Sequence, residues 1–232
     1  MVGAKKRTPR TGGRKGRNAT RTRPQGQATM AAILTAAAEI ASKEGLEQVS
    51  MRRLASAARI SKSGLYAHFR SKEELQLATV EHFLETFEAM VLRGPPDEPD
   101  AGLGALLERW LAFYESRVFP GGCFLITAAV EFASRRGPVR DALEAGINRE
   151  ITALEAAVRR ADQAGEVRPE RDANQTAFEL HSILLNANAL FQVRRDPGSF
   201  EWARVAIHRV LENSTGSPQH TAKARSVTGS TR

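Results

Sequence analysis

The sequence predicts an all-α fold in which a small N-terminal three-helix unit is joined by a long linking helix to a larger helical domain. Between residues 29 and 213, apolar side chains recur at steps of three and four residues, the period of an amphipathic helix. Serine, glycine and proline stand where such helices would begin or end. No segment shows the alternation of a half-buried strand, and no repeat of about 20 to 50 residues is present.

Positive charge is concentrated at the N-terminus. The chain has 232 residues and a net charge of +8. Residues 1–27 hold nine Lys and Arg and no acid, so +8 minus +9 leaves about −1 for residues 28–232. This basic segment indicates a nucleic acid or an anionic surface as partner, although an organelle transit peptide has a similar composition. Because it contains almost nothing apolar, we predict a disordered tail, of a kind that can enter a DNA minor groove.

The composition argues against several classes of protein. The single cysteine, Cys123, rules out an intramolecular disulfide framework and suits a reducing cytoplasm. The five histidines show no metal-ligand spacing and no glycine-rich phosphate loop follows a strand, so we expect no metal, no cofactor and no enzyme. Apolar runs such as residues 123–130 fall short of the roughly 20 residues of a membrane-spanning helix, so no membrane partner is expected.

Residues 50–72 predict a helix-turn-helix. A first helix runs from Thr29 to the stop at Gly45. Two short helices follow, with a turn at residues 59–60 between them, and then a fourth helix begins. In this layout one short helix crosses the DNA backbone while the next enters the major groove. Three serines are the predicted N-caps of the second, third and fourth helices: Ser50, Ser61 and Ser71, the last in a capping box with Glu74.

The remaining helices form the larger domain. The fourth helix extends to about Arg93 and ends in a Gly-Pro-acid loop at residues 94–100. Further helices are predicted over about 103–118, 123–134, 139–164 and 172–193, followed by a last one that ends near 213. The predicted division of the chain is a disordered basic tail at 1–27, a helix-turn-helix domain at 28–75, a helical regulatory and dimerisation domain at 76–213, and a disordered tail at 214–232.

One ordered run of residues carries a family resemblance. It comprises Ile33, Ala37, Gly45, the segment SMRRLA from Ser50, ISK from Ile60, LYAHF from Leu65 and SKEEL from Ser71. Over residues 29–76 this run resembles the TetR family of bacterial transcriptional repressors; beyond it only the number and order of helices are similar. The resemblance implies a cytoplasmic, nucleoid-associated homodimer that a small-molecule effector releases from a palindromic operator in double-stranded DNA. A ligand-independent regulator or a chromosome-organising protein of the same fold is the alternative.

The resemblance also implies which residues contact DNA. Matched positions place Lys62, Ser63, Gly64 and Tyr66 in the groove, His68 and Lys72 near phosphates, and Arg52 within reach of a base. The chemistry agrees, since Lys and Arg suit guanine O6 and N7 and glycine allows close backbone approach. Tyr66 could instead be partly buried against another helix.

Ser50, Ser61 and Arg59 complete the predicted DNA-binding set. The two serines begin helices whose free N–H groups favour phosphate. Arg59 stands where the family usually has glycine, so a left-handed turn there would cost on the order of 1 kcal/mol. Either Arg59 adds a phosphate contact or it is a tolerated surface substitution.

The last two predicted helices are apolar on more than one side, which is typical of a central or an interface helix. The resemblance favours a four-helix dimer interface that includes Phe178, Leu185, Trp202, Ala206 and Val210. Two half-sites about 34 to 36 Å apart would then be bound together.

Large or polar side chains on otherwise apolar helices are candidates for lining an effector pocket, although such side chains are more often plain core or hydrogen-bonded buried polar groups. They are Trp110, Phe113, Tyr114, Phe124, Phe132, His181, Asn186 and Asn188. Cys123, at a predicted helix start, is either a reactive thiol or a buried inert one. The fourth helix is the expected link between the domains, through Leu75, Phe83 and Phe87.

Overall fold

The computed structural model describes residues 23–95, 102–167 and 172–212, and within these ranges all regular structure is helical. The predicted all-α fold, with an N-terminal helix-turn-helix domain and a C-terminal helical domain, is confirmed. The predicted disorder at residues 1–22 and 214–232 concerns segments that lie outside the described residues. Within the described ranges, no helix is both long enough and apolar enough to cross a membrane.

The described helices follow one another with short connections. They are α1 Arg23–Glu44, α2 Met51–Ala57, α3 Lys62–Tyr66, α4 Lys72–Phe87, α5 Gly102–Glu115, α6 Phe124–Phe132, α7 Pro138–Gln163, α8 Ala173–Arg194 and α9 Gly198–Glu212. A 3-10 helix at Leu46–Gln48 lies between α1 and α2, and a π-helical turn at Glu88–Leu92 continues α4.

The first helix begins earlier than the sequence pattern predicts. It starts at Arg23, ahead of Thr29, so the expected boundary between tail and domain at residues 27 and 28 falls inside α1. Pro24 lies in the first turn, where its missing N–H breaks no helical hydrogen bond. This is why a proline there does not stop the helix.

The DNA-binding domain is built on the alanine-rich face of α1. Ala37, Ala38 and Ala41 are buried, and their small side chains let neighbouring helices approach closely. Leu54 of α2 and Leu65 of α3 are fully buried in the same core. The apolar residues of the two short helices therefore point inward, which leaves their polar sides on the surface.

Helix α4 contacts both domains. Leu75, near its start, is buried in the core that α1 contributes to, while Phe83 and Phe87, farther along, pack on aromatic rings of the C-terminal domain. The Phe83 ring centroid lies 4.7 Å from that of Phe124, and the Phe87 centroid lies 4.8 Å from that of Trp110. The position of α4 thus agrees with the predicted linking helix.

Candidate nucleic-acid interface

Three serine hydroxyls begin the helices of the DNA-binding domain, as the sequence predicts. The Arg53 N–H donates to Ser50 Oγ at 3.4 Å, the Gly64 N–H to Ser61 Oγ at 3.1 Å, and the Glu74 N–H to Ser71 Oγ at 3.0 Å. The reciprocal bond of the capping box is shifted by one residue, since Glu74 Oε2 accepts from the Arg70 N–H at 2.7 Å. Each cap satisfies an N–H group that would otherwise lack a partner.

The turn between α2 and α3 keeps its geometry without glycine. Arg59 has φ of 54°, in the left-handed region, and the Ile60 N–H donates to the Ala55 carbonyl at 3.0 Å. This is the hydrogen bond of a Schellman motif, which closes the end of α2. Arg59 therefore accepts the left-handed conformation at a cost of about 1 to 2 kcal/mol, and the turn is not displaced. Arg117 and Arg195 adopt the same conformation after α5 and α8, at φ of 54° and 56°.

The predicted DNA-binding residues all lie between Ser50 and Lys72, and none of them is buried. Tyr66 is 57% exposed, whereas Leu65 and Phe69 on either side of it in sequence are buried. Because Tyr66 is largely in solvent, it is not a core tyrosine. Five of the other members are exposed and four are half-buried. The exposed ones are Arg52, Arg59, Ser61, Lys62 and Ser63, and the half-buried ones are Ser50, Gly64, His68 and Lys72.

Lys72 forms an ion pair with another residue of the same chain. Its Nζ lies 2.6 Å from Glu47 Oε1, and the second oxygen of Glu47 lies 2.6 Å from Arg135 Nη1. The hydrogen bond from Lys72, and then that from Arg135, holds the pKa of Glu47 below its ordinary value. The charge of Lys72 that is expected near phosphate is thus partly neutralised in the free protein.

A group of polar contacts joins the two domains at the end of α1. Glu131 of α6 accepts the N–H groups of Leu46 and Glu47, at 2.9 and 3.2 Å. The Gly121 N–H donates to Ser42 Oγ at 3.1 Å. The sequence does not indicate these partners, which stand 79 to 85 residues apart. The one available signal is that Glu131 is the only charged residue of α6.

The predicted effector-pocket residues fall into two groups. Six of the eight are buried near one another in the C-terminal domain: Trp110, Phe113, Tyr114, Phe124, His181 and Asn188. Phe132 lies instead toward the DNA-binding domain, with the Arg135 guanidinium 4.4 Å from its ring centroid. Asn186 is exposed on α8, beside Trp202, so the structure does not place it with the buried group.

A buried carboxylate contacts one member of that group. Glu150 Oε2 lies 3.2 Å from His181 Nε2, and Glu150 Oε1 has no hydrogen-bond partner among the described residues. Burial raises the pKa of Glu150. Trp110 Nε1 donates to the Tyr114 hydroxyl at 2.8 Å. The described residues contain no group of three His, Cys, Asp or Glu that could hold a metal ion.

Cys123 is enclosed beside this cluster. Its side chain is buried, and its backbone N–H donates to Asn188 Oδ1 at 3.4 Å. Burial raises the pKa of the thiol to about 12. Because the thiolate is the reactive form, the raised pKa favours the interpretation of Cys123 as a buried, inert thiol over that of a reactive one.

The predicted dimer residues lie on the outer face of α8 and α9. Phe178 is 62% exposed and Trp202 is 53% exposed, while Leu185, Ala206 and Val210 are half-buried around them. Val205, which the sequence prediction omits, is 50% exposed on the same helix. Trp202, Val205, Ala206 and Val210 line one shallow surface together with Ile183, and the Arg194 guanidinium lies 5.2 Å from the Trp202 ring centroid.

Two family models match the chain. One, described as bacterial regulatory proteins of the tetR family, covers residues 33–79, and the other, the Tetracyclin repressor-like C-terminal domain, covers residues 100–207. The chain belongs to the TetR family of transcriptional regulators. It is therefore a DNA-binding regulator, and TetR-family regulators are in general not enzymes. No curated protein matches it.

Solved structures of TetR-family proteins share the fold. A regulator from Chloroflexus aurantiacus has a TM-score of 0.70 at 23% identity, over 82% of this chain and 97% of that one. A regulator from Cytophaga hutchinsonii has a TM-score of 0.66 at 20% identity, over 80% and 94%. AibR, solved in complex with isovaleryl coenzyme A and operator DNA, has a TM-score of 0.60 at 25% identity, over 79% and 98%.

Proposed function

We propose that this TetR-family regulator is a homodimeric repressor that binds a palindromic operator and leaves it when a small molecule binds the C-terminal domain. The observation that carries the proposal is the exposed polar side of α3, which a serine cap and a buried apolar side hold in place. The protein would act in the cytoplasm, associated with the nucleoid, because its partner is chromosomal DNA.

Helix α3 is short, so few side chains reach base edges. It has five residues, of which Lys62, Ser63 and Tyr66 are exposed. We assign these three, with Gly64 and Arg52, to the major groove, where Lys and Arg pair with guanine O6 and N7. The phosphate contacts are assigned to His68, Lys72, Arg59 and the N–H groups that follow Ser50 and Ser61. One such unit buries too little surface for tight specific binding, so two are needed.

The second DNA-binding unit would come from a second copy of the chain, joined through the apolar face of α8 and α9. Phe178, Trp202 and Val205 are each at least half exposed, and large apolar side chains exposed on neighbouring helices are typical of a protein interface. A two-fold axis through this face would pair α8 and α9 with the same helices of a second copy. The interface would comprise Phe178, Leu185, Val205, Trp202, Ala206 and Val210.

The buried polar cluster supports an effector that offers a hydrogen-bond donor. Glu150 Oε1 lacks a partner among the described residues, while its Oε2 lies 3.2 Å from His181 Nε2. The Trp110 ring centroid lies 5.8 Å from that of His181, and Trp110 donates to the Tyr114 hydroxyl. Aromatic walls with a few polar groups are typical of small-molecule sites. AibR, at 25% identity, was crystallised with both an acyl coenzyme A and operator DNA. An effector acts here only if it binds the dimer conformation that does not fit the operator more tightly.

Selection of operator DNA from a random library tests the proposal. We expect an inverted repeat with half-site centres about one helical turn apart. Ala206→Asp should abolish dimerisation in sedimentation and operator binding together, because it buries a charge in the interface. Ala145→Asp, on the exposed side of α7, is the matched control and should keep both properties. Tight binding of a monomer to single half-sites, without preference for inverted repeats, would refute the proposal.

A further inference from the structure

The connection between α1 and α2 is held by a residue from the other domain. The 3-10 helix Leu46–Gln48 follows Gly45, which has φ of 96° and offers no side chain to cap it. Glu131 of α6 takes that role, with Oε2 2.9 Å from the Leu46 nitrogen and Oε1 3.2 Å from the Glu47 nitrogen. An anionic acceptor suits the N-terminus of a helix because the first N–H groups there have no partner in the helix.

The α6–α7 turn makes a second contact with the 3-10 helix at Leu46–Gln48. Arg135 Nη1 lies 2.6 Å from Glu47 Oε2, while its guanidinium lies 4.4 Å from the Phe132 ring centroid. The contact with Phe132 keeps Arg135 on the side of α6. Glu47 is thereby anchored at its backbone by Glu131 and at its side chain by Arg135.

The turn before α6 packs against the same region. A Cβ added to Gly121 would lie 1.8 Å from the Ser42 carbonyl oxygen, so the two backbones are in direct contact. The three contacts made by Gly121, Glu131 and Arg135 converge on residues 42–47. That segment ends just before Ser50, which caps α2 and so sets where the helix-turn-helix begins.

The other end of α6 lies in the aromatic core. Phe124 is its first residue, and its ring centroid lies 4.7 Å from that of Phe83 and 6.3 Å from that of Phe119. Phe124 and Glu131 stand seven positions apart, which is about 10 Å along a helix. A movement of α6 that begins at the buried cluster is therefore passed to the start of the helix-turn-helix within two helical turns.

We infer that Glu131 and Arg135 are positioning residues for DNA binding: they hold the α1–α2 connection in the geometry that the operator requires, and displacement of α6 releases it. This inference rests on the proposed operator binding and names the route by which the C-terminal domain would regulate it. The route through α6 is separate from the one through α4, because it acts on residues 42–47 and does not pass through Leu75.

Glu131→Gln tests the role of the cap. The carboxamide keeps one acceptor oxygen but turns an NH₂ group toward the second backbone N–H. We expect hydrogen exchange of the Leu46 and Glu47 amides to accelerate about ten-fold, and operator affinity to fall by a similar factor. Glu155→Gln is the control, since the ion pair that Glu155 makes among the described residues is with Arg159 on the same helix, at 3.4 Å. Unchanged amide exchange and unchanged affinity in Glu131→Gln would overturn the inference.

Arg135→Gln is the second variant, and it keeps the test valid if Glu131→Gln fails to fold. Its control is Arg136→Gln, which removes the same charge from an exposed neighbour. We expect Arg135→Gln alone to weaken operator binding, by about three- to ten-fold; equal losses in both variants would mean that only net charge matters and would refute the positioning role. If the wild-type protein selects no DNA sequence, the proposed function fails, whereas amide exchange at Leu46 and Glu47 still tests the contacts.

Discussion

Gly121→Ala should destabilise the protein more than any exposed substitution. The added Cβ would lie 1.8 Å from the Ser42 carbonyl oxygen, and ordinary contact begins at 3.4 Å, so the two backbones must separate by about 1.6 Å. Such overpacking costs about 1 to 3 kcal/mol. The separation also breaks the hydrogen bond from the Gly121 N–H to Ser42 Oγ, worth about 1 kcal/mol. The expected loss in the free energy of unfolding is therefore about 2 to 4 kcal/mol.

Gly104→Ala provides a matched control in the same domain. A Cβ at Gly104 meets nothing within 4 Å, and the residue lies inside α5. Alanine should therefore stabilise the protein by about 0.5 to 1 kcal/mol. Urea unfolding at one fixed protein concentration measures both changes, and the melting temperature of Gly121→Ala should fall by about 5 to 15 °C. A Gly121→Ala variant as stable as the wild type would show that the α5–α6 turn does not abut α1.

Three further predictions follow from single side chains. Arg59→Gly should raise the free energy of unfolding by up to about 1 kcal/mol in urea, because glycine adopts φ of 54° without the strain of about 1 to 2 kcal/mol. The greater freedom of glycine in the unfolded chain offsets about 0.4 to 1 kcal/mol of that gain, and an unchanged or lower stability would contradict the prediction. Glu150 has a raised pKa in the folded protein, so the folded state keeps its proton above the ordinary value of 4.5. The stability of the wild type relative to Glu150→Gln should therefore fall as pH rises from 4.5 through that raised pKa, and a constant difference would refute it. Cys123, with its pKa raised to about 12, should react with a thiol reagent at pH 8 only after unfolding, and rapid labelling of the native protein would contradict its enclosure.

Local signals predicted the DNA-binding domain well. Ser50, Ser61 and Ser71 act within three residues of themselves, so the sequence alone indicates where each helix begins. The turn at Arg59 is equally local, since its left-handed conformation follows from a hydrogen bond between Ile60 and Ala55. Such features depend on neighbours in sequence, and a pattern of residues is enough to find them.

Contacts across the chain were not predictable in the same way. Glu131 stands 85 residues from Leu46, and its role as a cap depends on how two domains pack. Asn186 and Asn188 show a different limit, because both are polar residues on an apolar helix. Two positions apart, they are separated by about 200° around the helix, so one is exposed and the other buried. Helical periodicity could have distinguished them, whereas nothing in the sequence pairs Glu150 with His181.

The two links between the domains differ in strength, and the difference indicates which one responds to an effector. Helix α4 is fixed by Leu75, Phe83 and Phe87, whose burial stabilises it by about 1.5 to 3 kcal/mol for each side chain. The α6 link consists of the Glu131 cap, at about 1.5 to 3 kcal/mol, and the Gly121–Ser42 hydrogen bond, at about 1 kcal/mol. The half-exposed Arg135–Glu47 ion pair adds between zero and about 1 kcal/mol. Allosteric coupling free energies are typically about 1 to 3 kcal/mol. If an effector binds as proposed, a coupling of that size is closer to the strength of the α6 link than to that of the α4 link. We therefore expect the α6 contacts to break while Leu75, Phe83 and Phe87 stay buried.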